Sequence, residues 1–148
     1  DATDEVVGMV CVNKEAAASN TILVVSEQGF GKKTPFDEYR VTNRGGKGIK
    51  TIQITPRTGK LVGILEVAET DDLMISCKSG VTIRTSTSDI REAGRNTQGV
   101  KLIRLNENDE IAAITRLQKL DDEEENMLEG EIVDNIVPAD GETIAPVQ

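Results

Sequence analysis

The sequence predicts an all-β protein of propeller-like blades, each a four-stranded antiparallel sheet, in an array that this chain leaves incomplete. Three observations carry that reading. Residues 22–54 align without a gap onto residues 73–105, an offset of 51, with Gly29 on Gly80, Thr34 on Thr85, Arg40 on Arg91, Arg44 on Arg95, Gly48 on Gly99 and Lys50 on Lys101. The apolar segments are short, β-branched runs that end in glycine-containing turns, which is strand and hairpin chemistry. No segment carries a convincing 3.6-residue period. Four strands in a unit of about 50 residues is the size of a propeller blade. Blades bury their faces against neighbours, so two and a fraction cannot close a ring and leave open sheet edges.

The elements follow in order. A short apolar run occurs three times, as Val6–Val10, Leu61–Leu65 and Ile111–Ile114, and each is expected to be a strand. Thr21–Val25 and Leu73–Cys77 are the next strands of the two units, and Ser26–Gly29 and Lys78–Gly80 are their hairpin turns, with glycine supplying positive φ. Thr51–Thr55 and Leu102–Leu105 are expected to form a further strand in each unit. Thr55–Gly59 and Asn106–Asp109 close the units with turn residues. The chain therefore divides into a body, residues 1–118, with units at about 5–59 and 60–109 and the start of a third at 110–118, followed by residues 119–148. The block Asp121–Glu125 repels itself, and Gly130, Pro138, Gly141 and Pro146 interrupt any regular element. Residues 119–148 are therefore expected to be a disordered acidic tail.

Composition narrows the function. The 148 residues include no histidine and two cysteines, without a Cys-x-x-Cys pair. A zinc site and catalysis by Ser-His-Asp or Cys-His are excluded on those residue types. No apolar run approaches the roughly 20 residues of a membrane-spanning helix, and no signal peptide is apparent. Cys11 and Cys77 are expected to be buried, reduced thiols of a cytoplasmic protein. Aromatic residues make up 2% of the chain, so the core rests on Val, Ile and Leu. The net charge of −9 conceals a division: residues 1–21 carry four acids and one base, residues 22–104 nine acids and fourteen bases, residues 105–148 thirteen acids and two bases. A basic body with an acidic end suits an anionic partner despite the low overall pI.

The cations of the body recur. Lys33 aligns with Arg84, Arg40 with Arg91, Arg44 with Arg95, and Lys50 with Lys101, so four positions per unit would form a basic stripe. Lys32 and Lys47 add to it. In Arg44-Gly45-Gly46-Lys47-Gly48 the glycines let the backbone approach a phosphate and the cations add charge-assisted bonds. Lys33, Arg84, Arg44 and Arg95 are the leading expected phosphate contacts. Phe30, Phe36 and Tyr39 lie within one ten-residue stretch. That leaves no spread of stacking platforms for single-stranded bases and favours a duplex ligand. Tyr39 aligns with Ile90 and is read as a packing residue.

Gln28-Gly29-Phe30-Gly31-Lys32-Lys33-Thr34-Pro35-Phe36-Asp37-Glu38-Tyr39, the Arg44–Ile49 segment and Gly94-Arg95-Asn96-Thr97-Gln98-Gly99-Val100 together resemble the C-terminal domain of bacterial DNA gyrase A, over roughly residues 5–118. The resemblance implies a β-pinwheel, whose blades exchange strands and whose basic rim wraps duplex DNA to support ATP-dependent negative supercoiling. It implies a bacterial, cytoplasmic, nucleoid-associated type II DNA topoisomerase that joins two gyrase A chains to two gyrase B chains. Such an enzyme uses ATP and Mg, with no cofactor in this part. Its catalytic tyrosine lies in a breakage-reunion domain that this segment does not contain, so the segment is read as non-catalytic. The Asn43–Gly48 stretch resembles the family's gyrase-A box, which begins with Gln and sits in the first blade. Asn43 replaces that Gln, so the stretch is read as a blade-equivalent copy. The corresponding domain of topoisomerase IV and a propeller-type protein-interaction module are the alternatives, and self-association through open blade edges is a further expectation.

Overall fold

The computed structural model describes residues 4–13 and 15–118, and the expected tail at 119–148 lies outside the described residues. Seven strands are described: β1 (Thr21–Ser26), β2 (Phe30–Pro35), β3 (Leu61–Val67), β4 (Asp72–Cys77), β5 (Thr82–Ser86), β6 (Val100–Lys101) and β7 (Ile111–Leu117). They make two antiparallel sheets, one of four strands in the order β3-β1-β2-β6 and one of three in the order β5-β4-β7. The repeat is physical: β1, β2 and β3 return as β4, β5 and β7, and the 3-10 turn Phe36–Glu38 returns as Thr87–Asp89. Among the described residues no helix is long and apolar enough to cross a membrane.

Alternation along the central strands builds the core. Every residue of β1 is buried, because β3 and β2 flank it and both its faces are covered. Leu23 and Val25 point to one side and join Val67, Leu73, Ile75, Ile90 and Ile111, a cluster that draws on both sheets. Ile22 and Val24 point to the other side, where Ile52, Phe36 and Tyr39 cover them. The two sheets thus stack through one face of β1 and one face of β4, as successive blades do. On β4 the positions corresponding to Leu23 and Val25 are Met74 and Ser76, and both are half-buried.

The units exchange strands. β6 lies in the second repeat but pairs with β2 of the first, Phe30 opposite Lys101 and Gly31 opposite Val100. In the second sheet no described strand takes the equivalent place beside β5, which is an open edge. This explains three departures from the sequence reading. Thr51–Thr55 forms no strand, and Leu102–Leu105 forms none either; in its place the two residues just before it, Val100–Lys101, pair in a sheet. Val6–Val10 forms no strand either, and Val6 and Met9 are 93% and 85% exposed. A strand exists by its partner: in the repeat pattern Leu61–Val67 pairs with β1 and Ile111–Leu117 with β4, while no described strand offers Val6–Val10 the same edge. Cys11 is accordingly exposed, against expectation, whereas Cys77 is buried and its thiol pKa is raised by burial and then by the Asp109 charge.

The turn that closes the second unit is held by a carboxylate. Asp109 accepts hydrogen bonds from the Ser79 hydroxyl at 2.6 Å, the Ser79 amide at 3.1 Å and the Glu110 amide at 2.9 Å. These bonds favour the ionised form and lower its pKa, the Ser79 hydroxyl most. A carboxyl whose folded pKa lies below its unfolded value stabilises above the unfolded pKa, and that stabilisation is lost as pH falls through the folded one. Asp109→Asn should therefore unfold at lower denaturant concentration at neutral pH, and its deficit should shrink on acidification. A deficit independent of pH in urea titrations would rule out the ionised carboxylate as its source.

Candidate nucleic-acid interface

The hairpin β1-β2, the loops after each 3-10 turn, and the strand β6 position the cations that the repeat singled out. Arg40, Arg44, Lys47, Lys50, Arg91 and Lys101 are all exposed. Arg44 and Lys47 stand on a projecting turn in which the Gly46 amide donates to the Asn43 carbonyl at 3.3 Å and Gly45 takes φ 73°. Lys101 is on β6, at the exposed end of the strand pairing with β2. Arg91 follows the second 3-10 turn, and its carbonyl accepts from the Lys33 amide at 3.2 Å. Arg104, whose repeat counterpart is Gln53 and which recurrence therefore does not single out, is exposed as well.

Four of the expected contacts are otherwise engaged. Lys32 is a correction: it has no exposed surface, because β2 is an inner strand and its side chain points under the loop of the second unit. Its Nζ donates to the carbonyls of Gly94 at 2.6 Å and Arg95 at 2.7 Å, with the Thr97 carbonyl at 3.2 Å and hydroxyl at 3.3 Å. Burial lowers its pKa to about 8, Arg95 pushes the same way, and Glu38 opposes both. Lys33 is also corrected: it is 2% exposed, and its ammonium pairs with Glu69. A phosphate would have to displace that carboxylate and open the packing around β2. Arg84 is exposed but donates through Nε and Nη2 to the Asp72 carboxylate, at 2.7 and 2.6 Å. Arg95 is half-buried, with Nε 3.6 Å from Glu38 and Nη1 donating to the Lys50 carbonyl at 3.4 Å. The structure thus sorts cations that look alike in the sequence into a solvent-facing set and an internal set.

Tyr39 packs against the Ile22–Val24 face and shares a hydrogen bond with the Thr51 hydroxyl. The packing role expected from its alignment with Ile90 accounts for it.

Three kinds of relative share this architecture. Residues 20–68 and 71–118 match the family described as DNA gyrase C-terminal domain, beta-propeller, so each repeat is matched separately. The chain is 46% identical over 121 residues to the DNA gyrase A protein of Staphylococcus aureus strain MRSA252, covering 82% of this chain and 13% of that protein. It is 43% identical over 138 residues to that of strain NCTC 8325, covering 93% of this chain and 15% of that protein. The chain therefore spans about one seventh of the length of these relatives. A solved DNA gyrase A C-terminal domain superposes with a TM-score of 0.63 at 24% identity, over 68% of this chain and 34% of that one. The C-terminal domain of a DNA topoisomerase IV superposes with a TM-score of 0.67 at 17% identity, over 83% of this chain and 37% of that one. At those identities the two superpositions speak for the fold alone.

Proposed function

The chain belongs to the DNA gyrase C-terminal domain family of β-propellers, and from that premise we propose that it is a non-catalytic module that binds and wraps duplex DNA as part of a gyrase A protein. The observation that carries the reading is the recurrence of exposed cations at repeat-equivalent positions, Arg40 with Arg91 and Lys50 with Lys101, together with Arg44 and Lys47, on a chain of net charge −9. A protein selected only for solubility has no reason to place positive charge at the same point of successive blades. Phosphates held at successive blades would bend the duplex, and bending 20–30 bp costs of order 1–6 kcal/mol, which further phosphate contacts offset. In this reading strand cleavage, ATP and Mg belong to other parts of an enzyme of two gyrase A and two gyrase B chains, and the module gives the captured DNA its path. The identity to gyrase A sequences supports gyrase over topoisomerase IV.

The test is a titration of a fluorescent linear duplex of about 40 bp at several salt concentrations. About four phosphate contacts would give log K against log salt a slope near −3.6. The affinity should be indifferent to base sequence, since phosphate contacts position without reading bases. A chain ending at Gln118 serves as the second arm. Residues 119–148 are strongly acidic, and if they compete for the cations their removal should tighten binding at low salt. A salt-insensitive interaction, or none in either arm, would favour a protein-interaction module and end the DNA reading.

A further inference from the structure

We infer that the outer edge of β5 is a docking site for residues 41–51 of a second copy of this chain, so that copies join head to tail by the same strand exchange that joins the two units. The inference goes beyond the DNA-binding reading and does not rest on it. It gives the open edge an occupant and a register. The exchange within the chain shows what such a contact needs. An arm of the second unit, residues 92–102, lies along the outer edge of β2, with β6 as its strand. The Leu102 amide donates to the Gly29 carbonyl at 2.8 Å, and the Ala93 amide to the Lys33 carbonyl at 2.9 Å. The Thr34 hydroxyl donates to the Ala93 carbonyl at 2.9 Å. Under that arm β2 is buried from Phe30 to Thr34. On β5, by contrast, Thr82 and Arg84 are exposed, and Val81 just before it is 46% exposed.

Among the described residues there is one unfilled dock and one undocked arm. β5 has β4 on one side and no described strand on the other. A Cβ on Gly29 would meet the Ile103 carbonyl oxygen at 2.8 Å, whereas a Cβ on its counterpart Gly80 meets nothing within 4 Å. Residues 41–48 are exposed at every position. Gly48 is the sharpest sign. Its counterpart Gly99 lies so close to β2 that a Cβ would sit 2.4 Å from the Gly31 carbonyl oxygen, but Gly48 takes no positive φ and a Cβ there meets nothing within 4 Å. Nothing described in its own unit calls for glycine, and an arm laid against a strand does. The register of the exchange, moved by 51 residues, sets Lys50 opposite Val81 and Ile49 opposite Thr82. The side chains compensate. Gly31 makes room for Leu102, and where the second unit has the larger Thr82 the arm has the smaller Thr51. Thr85 keeps the hydroxyl of Thr34, while Ile83 replaces Lys32, whose ammonium grips the docked arm. The contact between copies is therefore weaker than the one within the chain. β7 already fills the place that the partner's Val6–Val10 would take in a continuous array, so that run stays outside the contact. Arg91 and Lys101 remain exposed on the docked arm, so docking leaves their counterparts Arg40 and Lys50 open to DNA. An unpaired strand edge is a ready template for such addition, and an arm on one copy with an edge on the next is a heterologous contact.

The experiment is sedimentation velocity of the full chain over a range of concentrations, without DNA. The unaltered chain should associate reversibly as concentration rises. Gly48→Ala spoils the arm, and Thr82→Pro takes an N–H from the edge and adds a ring to it. Each variant should raise the dissociation constant about tenfold or more. Their equimolar mixture should form a dimer and nothing larger. The intact edge of Gly48→Ala takes the intact arm of Thr82→Pro, and the remaining arm and edge are the spoiled ones. A chain that stays monomeric at every concentration overturns the docking. So does association that survives Gly48→Ala unchanged, or that is lost in a chain ending at Gln118, which would assign it to the acidic segment. Variants that remain apart when mixed overturn the head-to-tail pairing. Should Thr82→Pro fail to fold, Gly48→Ala against the unaltered chain still decides.

Discussion

Replacing Gly99 by alanine should destabilise the chain by about 2–4 kcal/mol, while the same replacement at Gly48, its repeat partner 51 residues earlier, should stay within about 0.5 kcal/mol. The two glycines look identical in sequence, each following a polar turn and preceding an apolar residue. Gly99 has φ 79°, and a Cβ there would sit 2.4 Å from the Gly31 carbonyl oxygen and 2.8 Å from its carbon. Those are backbone atoms of an inner strand and cannot swing aside. The left-handed conformation alone costs a non-glycine residue roughly 1–2 kcal/mol. The clash then requires β6 to leave β2, which forfeits the Gly31–Val100 pairing and loosens the loop over Lys32. A Cβ on Gly48 meets nothing within 4 Å. Urea unfolding of both variants checks the pair. Equal destabilisation would mean that strand exchange contributes little to holding the units together.

That contrast separates what the sequence makes legible from what it hides. The 51-residue alignment places β1, β4 and the hairpin glycines, because those features are set by local turn chemistry and by alternation along one strand. It identifies Tyr39 as packing because its counterpart is Ile90. The alignment cannot say which strand leaves its own unit, since β6 is only two residues long and pairs far along the chain, Lys101 with Phe30. The exchange accounts for the main departures. It turns Lys32 from a candidate ligand into the internal support of a loop. It also leaves Val6–Val10 without a partner among the described strands, so an apolar run that matches the start of β3 forms no strand. One signal for Lys32 is present in the sequence: Lys33 has a basic counterpart in Arg84, whereas Lys32 has Ile83, and a cation that fails to recur is a poor member of a recurring stripe. Lys33 gives no such signal. Its burial follows from the inner position of β2 and from Glu69, which sits outside the repeat's shared motifs.

The sorting of cations makes the strongest functional prediction. Neutralising Arg44, Lys47, Arg91 and Lys101 together to glutamine should make the salt slope of duplex binding shallower by about 3.6, at about 0.9 per phosphate contact. Between about 50 and 200 mM salt, those four contacts would account for roughly a 10²-fold loss of affinity in the unaltered chain, a loss that the variant should no longer show. All four side chains are exposed, so unfolding free energy should move by no more than about 0.5 kcal/mol per site. Lys33→Met is the matched control. It removes a cation of the same stripe in sequence, but one that is 2% exposed and already paired with Glu69. Breaking that pair leaves Glu69, already mostly exposed, solvated by water and removes a buried ammonium, so stability should change by no more than about 1 kcal/mol while the salt slope holds. If Lys33→Met lowers the slope as one rim residue does, β2 opens to the DNA and burial is no guide to the contact surface. If the fourfold variant keeps the slope of the unaltered chain, the exposed recurring cations are not where the phosphates sit. The exposed Arg104 and the paired Arg84 then become the next side chains to test.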